Sequence, residues 1–204
     1  MNGLSKWDER FSSEEYVYGT EPNEFLREWV TSHQPERKRV LAIAEGEGRN
    51  AVWLATLGFE VEMWDASIVG LDKAKRLATS RNVSIQTKQI DLNEADWPNE
   101  AYDMVICIFG HFPPHVREKV FTGIQQTLQP EGLFLSEVYS THQLAYGTGG
   151  PNDASLLYTE EMFHQLEDDF VPLVLHETVD SRVREEGTLH HGESAVIQYV
   201  GQKR

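Results

Sequence analysis

Two glutamates alternate with two glycines in Glu45-Gly46-Glu47-Gly48, and an aspartate, Asp65, closes the short apolar stretch that follows. Gly46 and Gly48 lack a Cβ, so the backbone there can turn sharply and a ligand can come into contact with it. A helix starting just after such a turn aims its unbonded N–H groups into the same crevice. An aspartate at the carboxyl end of the neighbouring strand can accept hydrogen bonds from both hydroxyls of a ribose. These residue types at this spacing point to an adenosine-containing ligand. The plainer alternative is a tight strand–helix turn with an exposed Asp in the next loop. The flanking charges help to choose the ligand: Glu45 and Glu47 would repel a pyrophosphate. They would attract a ligand with an ammonium and a sulfonium centre, which favours S-adenosylmethionine over a dinucleotide.

The elements that must position these residues follow from hydrophobic periodicity. Val40 to Ala44 has the length of a buried strand, and Ala51, Leu54, Ala55 and Leu57 recur at helical spacing until Gly58 ends the helix. Glu60 to Trp64 is the second strand. Ser67 begins a helix with Leu71, Ala74, Leu77 and Ala78 on one face, leaving Lys73, Lys75 and Arg76 as its solvated face. Val83 to Lys88 alternates as a strand leading to Ile90-Asp91-Leu92. Tyr102 to Phe109 is continuous and apolar, like a central parallel strand. Beyond the break at Gly110 to Pro114, Val116, Val120, Ile124 and Leu128 mark a helix, and Pro130-Glu131-Gly132 turns into a strand over 133–138.

Residues 139–158 carry Gly147, Gly149, Gly150 and Pro151 and read as a long loop, a kind more often functional than idle. Thr159 is a candidate N-cap for a helix with Met162, Phe163 and Leu166. The tail reads as two strands, 171–184 and 188–200, joined around Glu185-Glu186-Gly187 in an antiparallel hairpin at the sheet edge. Upstream, residues 1–21 hold Trp7, Phe11, Tyr16 and Tyr18, too polar for a core helix and too aromatic for a loose tail. They are expected to pack over the body as an arm or lid. Pro22 suits the first turn of a helix presenting Phe25, Leu26, Trp29 and Val30, so residues 1–35 form the arm and helix of one domain spanning 1–204.

A formal net charge of −15 disfavours nucleic-acid substrates, because so acidic a surface repels phosphate backbones. The single cysteine, Cys107, excludes an internal disulfide and any multi-cysteine metal site. No apolar run has the length of a signal peptide core or a membrane span, so a cytoplasmic monomer with no metal, acting on a small molecule, is expected.

Strung together, these pieces resemble a class I S-adenosylmethionine-dependent methyltransferase: an α/β fold with a doubly wound, mostly parallel seven-stranded sheet. The glycine motif at 40–48, Asp65, the IDL motif at 90–92, the strand at 102–109, the L-x-P-x-G turn at 128–132 and the closing hairpin carry the resemblance. WDERF…YVYGTEPNEFL and the AYGTGGP loop look like the small bacterial tellurite-resistance and thiopurine-type methyltransferases, which tend to act on small molecules with soft chalcogen centres. The resemblance implies that Gly46 and Gly48 line the methionine part of the ligand, and that Asp65 takes the ribose hydroxyls. It places Ala66 against the adenine, Asp91 on its amino group, Leu92 beside its ring and Ile108 under the methyl donor. Ala42 stands where the family carries an acid near the ligand's amino group, Ala44 where it carries a glycine, and Glu45 where a cysteine is common. Glu45 is the candidate substitute for the missing acid.

Methyl transfer from a sulfonium is an in-line displacement, so the protein mainly aligns the acceptor and excludes water. Catalytic candidates at the carboxyl ends of the strands are His111, Tyr139, His142 and Tyr146, joined by Tyr18 from the arm. His190 and His191 are adjacent on a strand, face opposite ways, and would not chelate one ion. Two other readings stay open. A nicotinamide-dependent oxidoreductase fits Gly46-x-Gly48-x-x-Ala51, and a non-catalytic small-molecule sensor fits the altered positions Ala42 and Ala44.

Overall fold

The apolar runs form the strands of one sheet in a computed structural model that describes residues 6–36, 38–180 and 193–204. The strands are β1 (Arg39–Ile43), β2 (Glu60–Asp65), β3 (Gln86–Gln89), β4 (Tyr102–Ile108), β5 (Leu128–Tyr139), β6 (Phe170–Asp180) and β7 (Ser194–Lys203). The helices are α1 (Lys6–Arg10), α2 (Glu24–His33), α3 (Arg49–Thr56), α4 (Ile68–Ser80), α5 (Pro114–Thr127) and α6 (Glu160–His164). The sheet order is β3-β2-β1-β4-β5-β7-β6, parallel throughout except that β7 runs antiparallel to both β5 and β6. The chain winds outward from β1 to β3, then returns to place β4 on the other flank of β1. That reversal leaves a crevice at the carboxyl ends of β1 and β4, where open α/β sheets bind their ligands.

Strand alternation sends the two sets of side chains to opposite faces. Val40, Ala42, Met104 and Ile106 pack under α2, α3 and α4, while Leu41, Ile43, Val105 and Cys107 pack under α5 and α6. Burial pushes the Cys107 thiol up to about 12, which leaves it a small core residue.

Several boundaries differ from the sequence expectations. Asn23, rather than Pro22, opens α2, its side chain accepting from the Leu26 amide at 3.0 Å. The Pro130-Glu131-Gly132 turn lies inside β5, where the pairing jumps from Tyr102↔Leu128 to Met104↔Leu133 and Glu131 takes a φ of +63°. The segment 139–158 carries two short 3-10 turns, Thr141–Ala145 and Ala154–Leu156, and a bridge between Ser140 and Tyr158. The expected hairpin is present, with β7 inserted between β5 and β6, so β6 is the sheet edge. Pro172 and a register shift interrupt that edge and make it a poor template for a further strand. The hairpin turn and His190-His191 lie outside the described residues. Among the described residues no helix is long and apolar enough to cross a membrane, and no cluster of His, Cys, Asp and Glu could hold a metal ion.

Candidate functional site

At the carboxyl ends of β1 and β2 the backbone takes the turn that the glycines allow. Gly46 has a φ of +63° and Gly48 a φ of +85°, and Ala44 also sits in the left-handed region at +51°. Ala44 therefore occupies a position suited to glycine, at a cost of about 1 kcal/mol. Asp65 is buried, and its two oxygens accept from the Gly46 amide at 2.7 Å and the Ser67 amide at 2.8 Å. Each carboxylate oxygen keeps a further lone pair for a ligand hydroxyl. Burial raises the Asp65 pKa, the two amide bonds oppose that rise, and the neighbouring Asp8 charge adds to it.

Ala66 and Asp91 are exposed beside this turn, and Asp91 also accepts from the Asn93 amide at 2.9 Å in a local turn. Leu92 is a core residue packed with Trp64 and Trp97, and Ile108 is buried on the α2–α3 face of the sheet. Their backbones, more than their side chains, are what they can offer a ligand. A cradle of backbone turn, two carboxylates and exposed Ala66 fits the hydroxyls, amine and flat ring of an adenosine.

Glu45 and Glu47 correct the sequence reading. Glu45 points into the start of α3, its Oε1 accepting from the amides of Asn50 at 2.8 Å and Ala51 at 2.9 Å, its Oε2 from Asn50 Nδ2 at 3.2 Å. Burial raises its pKa against those bonds. Helix capping thus takes the carboxylate that was expected to replace the acid missing at Ala42. Glu47 forms a buried ion pair with Lys73 of α4, so Lys73 is not on a solvated face. Neither glutamate presents a free charge to the crevice, and the electrostatic reason for choosing a sulfonium ligand fails in that form.

The arm covers this side. Phe11 is buried, with a ring carbon 3.0 Å from where a Cβ on Gly46 would stand. Asp8 accepts from Ser67 Oγ at 2.6 Å. Tyr18 lies on the arm, its hydroxyl accepting from Arg10 at 2.8 Å and its ring meeting Phe11 edge-on. Beneath the crevice a buried chain of amides links the layers. Asn23 Nδ2 donates to Glu137 of β5 at 2.8 Å, the Asn23 amide donates to Asn50 Oδ1 at 2.8 Å, and Gln198 donates to Glu137 at 2.6 Å. Glu137, a carboxylate inside the run Leu133 to Val138, was the sequence signal of this network.

Across the crevice, at the ends of β4 and β5, the structure brings two of the catalytic candidates together. The His111 and Tyr139 rings stack with centroids 5.6 Å apart, Phe109 lies 4.7 Å from Tyr139, and Tyr158 meets His111 edge-on at 5.8 Å. His111 Nδ1 is 2.9 Å from the Leu156 carbonyl, which can only accept, so Nδ1 carries the proton. The Tyr158 hydroxyl donates to the Gly110 carbonyl at 2.9 Å, and burial raises its pKa far above the ordinary tyrosine value. Tyr146 and His142 stand apart from this cluster. They line an open cavity of about 600 Å³ with Leu144, Glu177 and Val179, where His142 pairs with Glu177 at 2.6 Å.

Residues 40–132 match the methyltransferase domain family. That span includes the glycine turn, Asp65, Asp91 and His111 but neither the arm nor the hairpin. The chain is 28% identical over 137 residues to the glycine/sarcosine N-methyltransferase of Aphanothece halophytica, covering 65% of this chain and 50% of that one. It spans about half the length of the curated relatives it matches. In fold it is similar to TehB from Haemophilus influenzae, with a TM-score of 0.72 and 17% identity over 97% of this chain and 66% of that one. It is similar as well to the structure described for conversion of a disulfide bond into a thioacetal group during echinomycin biosynthesis, with a TM-score of 0.74 and 17% identity over 97% and 90% of the two chains. The chain is thus similar in fold to S-adenosylmethionine-dependent methyltransferases of known structure, and its central segment matches the methyltransferase domain model.

Proposed function

We propose that the chain methylates a small molecule at a soft nucleophile, a thiol, selenol or tellurium centre, with S-adenosylmethionine as donor. The observation that carries the donor is Asp65, held by the Gly46 and Ser67 amides beside the glycine turn at the switch point of the sheet. When bound there, S-adenosylmethionine supplies an activated methyl group. Asp65 and Asp91 would hold its ribose and adenine, with Gly46, Gly48 and Ala66 forming the walls.

The acceptor class is inferred from the opposite wall. Phe109, His111, Tyr139 and Tyr158 make it aromatic, and the Tyr158 hydroxyl is committed to a carbonyl with its ionisation suppressed. Such a wall can align an acceptor, and apart from the His111 imidazole it offers no side-chain base. A thiol ionises near neutral pH without help, unlike an alcohol. The similar structure described for conversion of a disulfide bond into a thioacetal group during echinomycin biosynthesis accords with this reading.

Incubation with methyl-labelled S-adenosylmethionine and a matched panel of thiols, selenols, tellurite, amines and alcohols tests it. Label is expected in the soft acceptors and not in alcohols of the same shape. Transfer to amines or alcohols alone would overturn the acceptor class, and binding without turnover on any acceptor would favour the sensor reading.

A further inference from the structure

Resting on the donor-site reading, we propose that Lys73 and Glu47 are positioning residues whose buried ion pair makes closure of the arm and the shape of the donor crevice a single event. Their side chains are 1% and 3% exposed. Both charges belong to the body, Glu47 to the glycine turn and Lys73 to α4, yet the arm supplies most of their remaining partners. Lys73 Nζ donates to the carbonyls of Ser13 at 2.9 Å and Glu15 at 2.6 Å, with that of Phe11 at 3.4 Å. Glu47 Oε2 accepts from the amides of Val17 at 2.8 Å and Tyr18 at 3.4 Å. The Tyr16 ring centroid lies 5.0 Å from Lys73 Nζ, and its hydroxyl donates to the Lys73 carbonyl at 3.0 Å.

The arm contributes backbone dipoles and rings but no countercharge to this pair, so its closure removes water from the pair and strengthens the pair's own attraction. Glu47 lies between Gly46 and Gly48, and the Gly46 amide is the group that holds Asp65. A shift of the Glu47 carboxylate is therefore transmitted through one residue of backbone to the ribose acceptor. Asp8 repeats the device on the other flank, accepting from Ser67 Oγ at 2.6 Å and the Val69 amide at 3.4 Å, while the Ser67 amide holds the second oxygen of Asp65. The closed arm thus reaches both residues whose amides fix Asp65, Gly46 through the Phe11 ring and Ser67 through Asp8. A ligand that binds Asp65 in this geometry favours the closed arm, and by reciprocity the closed arm favours the ligand.

Hydrogen exchange on the full chain with and without S-adenosylhomocysteine, in parallel with calorimetry, tests the proposal in wild type, Lys73→Met and Glu47→Gln. In wild type the ligand should slow exchange of the Val17 and Tyr18 amides. In Lys73→Met the amides of residues 11–18 should exchange at least tenfold faster without ligand, and the Kd should weaken about tenfold. Amides of β1, β4 and β5 should keep their protection. Glu47→Gln keeps an acceptor but loses the charge, so it should shift both readouts the same way and by less. Unchanged affinity in both variants, or loss of protection in β4 and β5 together with the arm, would overturn the proposal alone. Failure of wild type to bind would overturn the donor-site reading and this proposal with it.

Discussion

On one flank of the switch point, Asp65, Glu45 and Glu47 are fixed by backbone amides and a buried lysine, and on the other Phe109, His111, Tyr139 and Tyr158 are fixed by ring packing. Hydrogen bonds to charged groups are directional and costly to leave unmade. Ring contacts tolerate offsets of the order of an ångström at small cost. A donor that never changes suits the first kind of wall, and an acceptor that differs among relatives suits the second. The donor flank should therefore be brittle to single substitutions and the acceptor flank forgiving.

The sharpest break of this comparison is a pair of glycines. A Cβ on Gly48 would stand 2.4 Å from the Ala74 Cβ at a φ of +85°, whereas Gly147 in the 139–158 segment that follows β5 has a φ of +65° and nothing within 4 Å. Gly48→Ala should lose about 3 kcal/mol or more in urea unfolding, from overpacking and strain together. Gly147→Ala should lose only about 1 kcal/mol, from strain alone. Equal losses would mean that the two flanks do not differ in kind.

A smaller effect is expected from Tyr158→Phe, which removes the hydroxyl that donates to the Gly110 carbonyl at 2.9 Å. About 1 kcal/mol of stability should go. Methyl transfer should slow while the Kd for S-adenosylhomocysteine stays put, because the change is confined to the acceptor wall. Weakened donor binding would show that the flanks are coupled through β4.

The smallest expected effect lies at the rim. The Glu177 carboxylate beside His142 raises the imidazole pKa above its ordinary value. The folded pKa is the higher one, so the pair's contribution is fully present below the unfolded value and is lost as pH rises through the folded value. Glu177→Gln should return the titration of His142, followed by NMR, toward about 6.5. Activity should not follow that titration, because His142 stands apart from the ring cluster.

The same contrast explains what could be read from the chain. The glycine turn, Asp65 and Ser67 at the head of α4 were legible because each depends on neighbours a few residues away. Lys73 was misread. Its spacing from Gly70 and Leu77 put it on the flank of the buried face, but the arm that buries it lies about 60 residues earlier in the chain. Glu45 and Glu47 were placed correctly in sequence and wrongly in space, since nothing local says whether a carboxylate caps its own helix or faces a ligand. The ligand class they suggested agrees with the fold's relatives, although the charges themselves are spent elsewhere. The Asn23–Glu137 bond joins residues 114 apart, beyond any periodicity. Of the five catalytic candidates His111, Tyr139, His142, Tyr146 and Tyr18, only the first two meet, because the connection from β5 carries His142 and Tyr146 away and Tyr18 stays with the arm.

Calorimetric titration of S-adenosylhomocysteine into wild type and Asp65→Ala tests the central claim most directly. Wild type should bind in the micromolar range, and Asp65→Ala should bind at least tenfold more weakly as two ribose hydroxyls lose their acceptor. Wild-type binding that Asp65→Ala leaves intact, or no binding at all, would contradict the assignment of the glycine turn and Asp65 as the donor site.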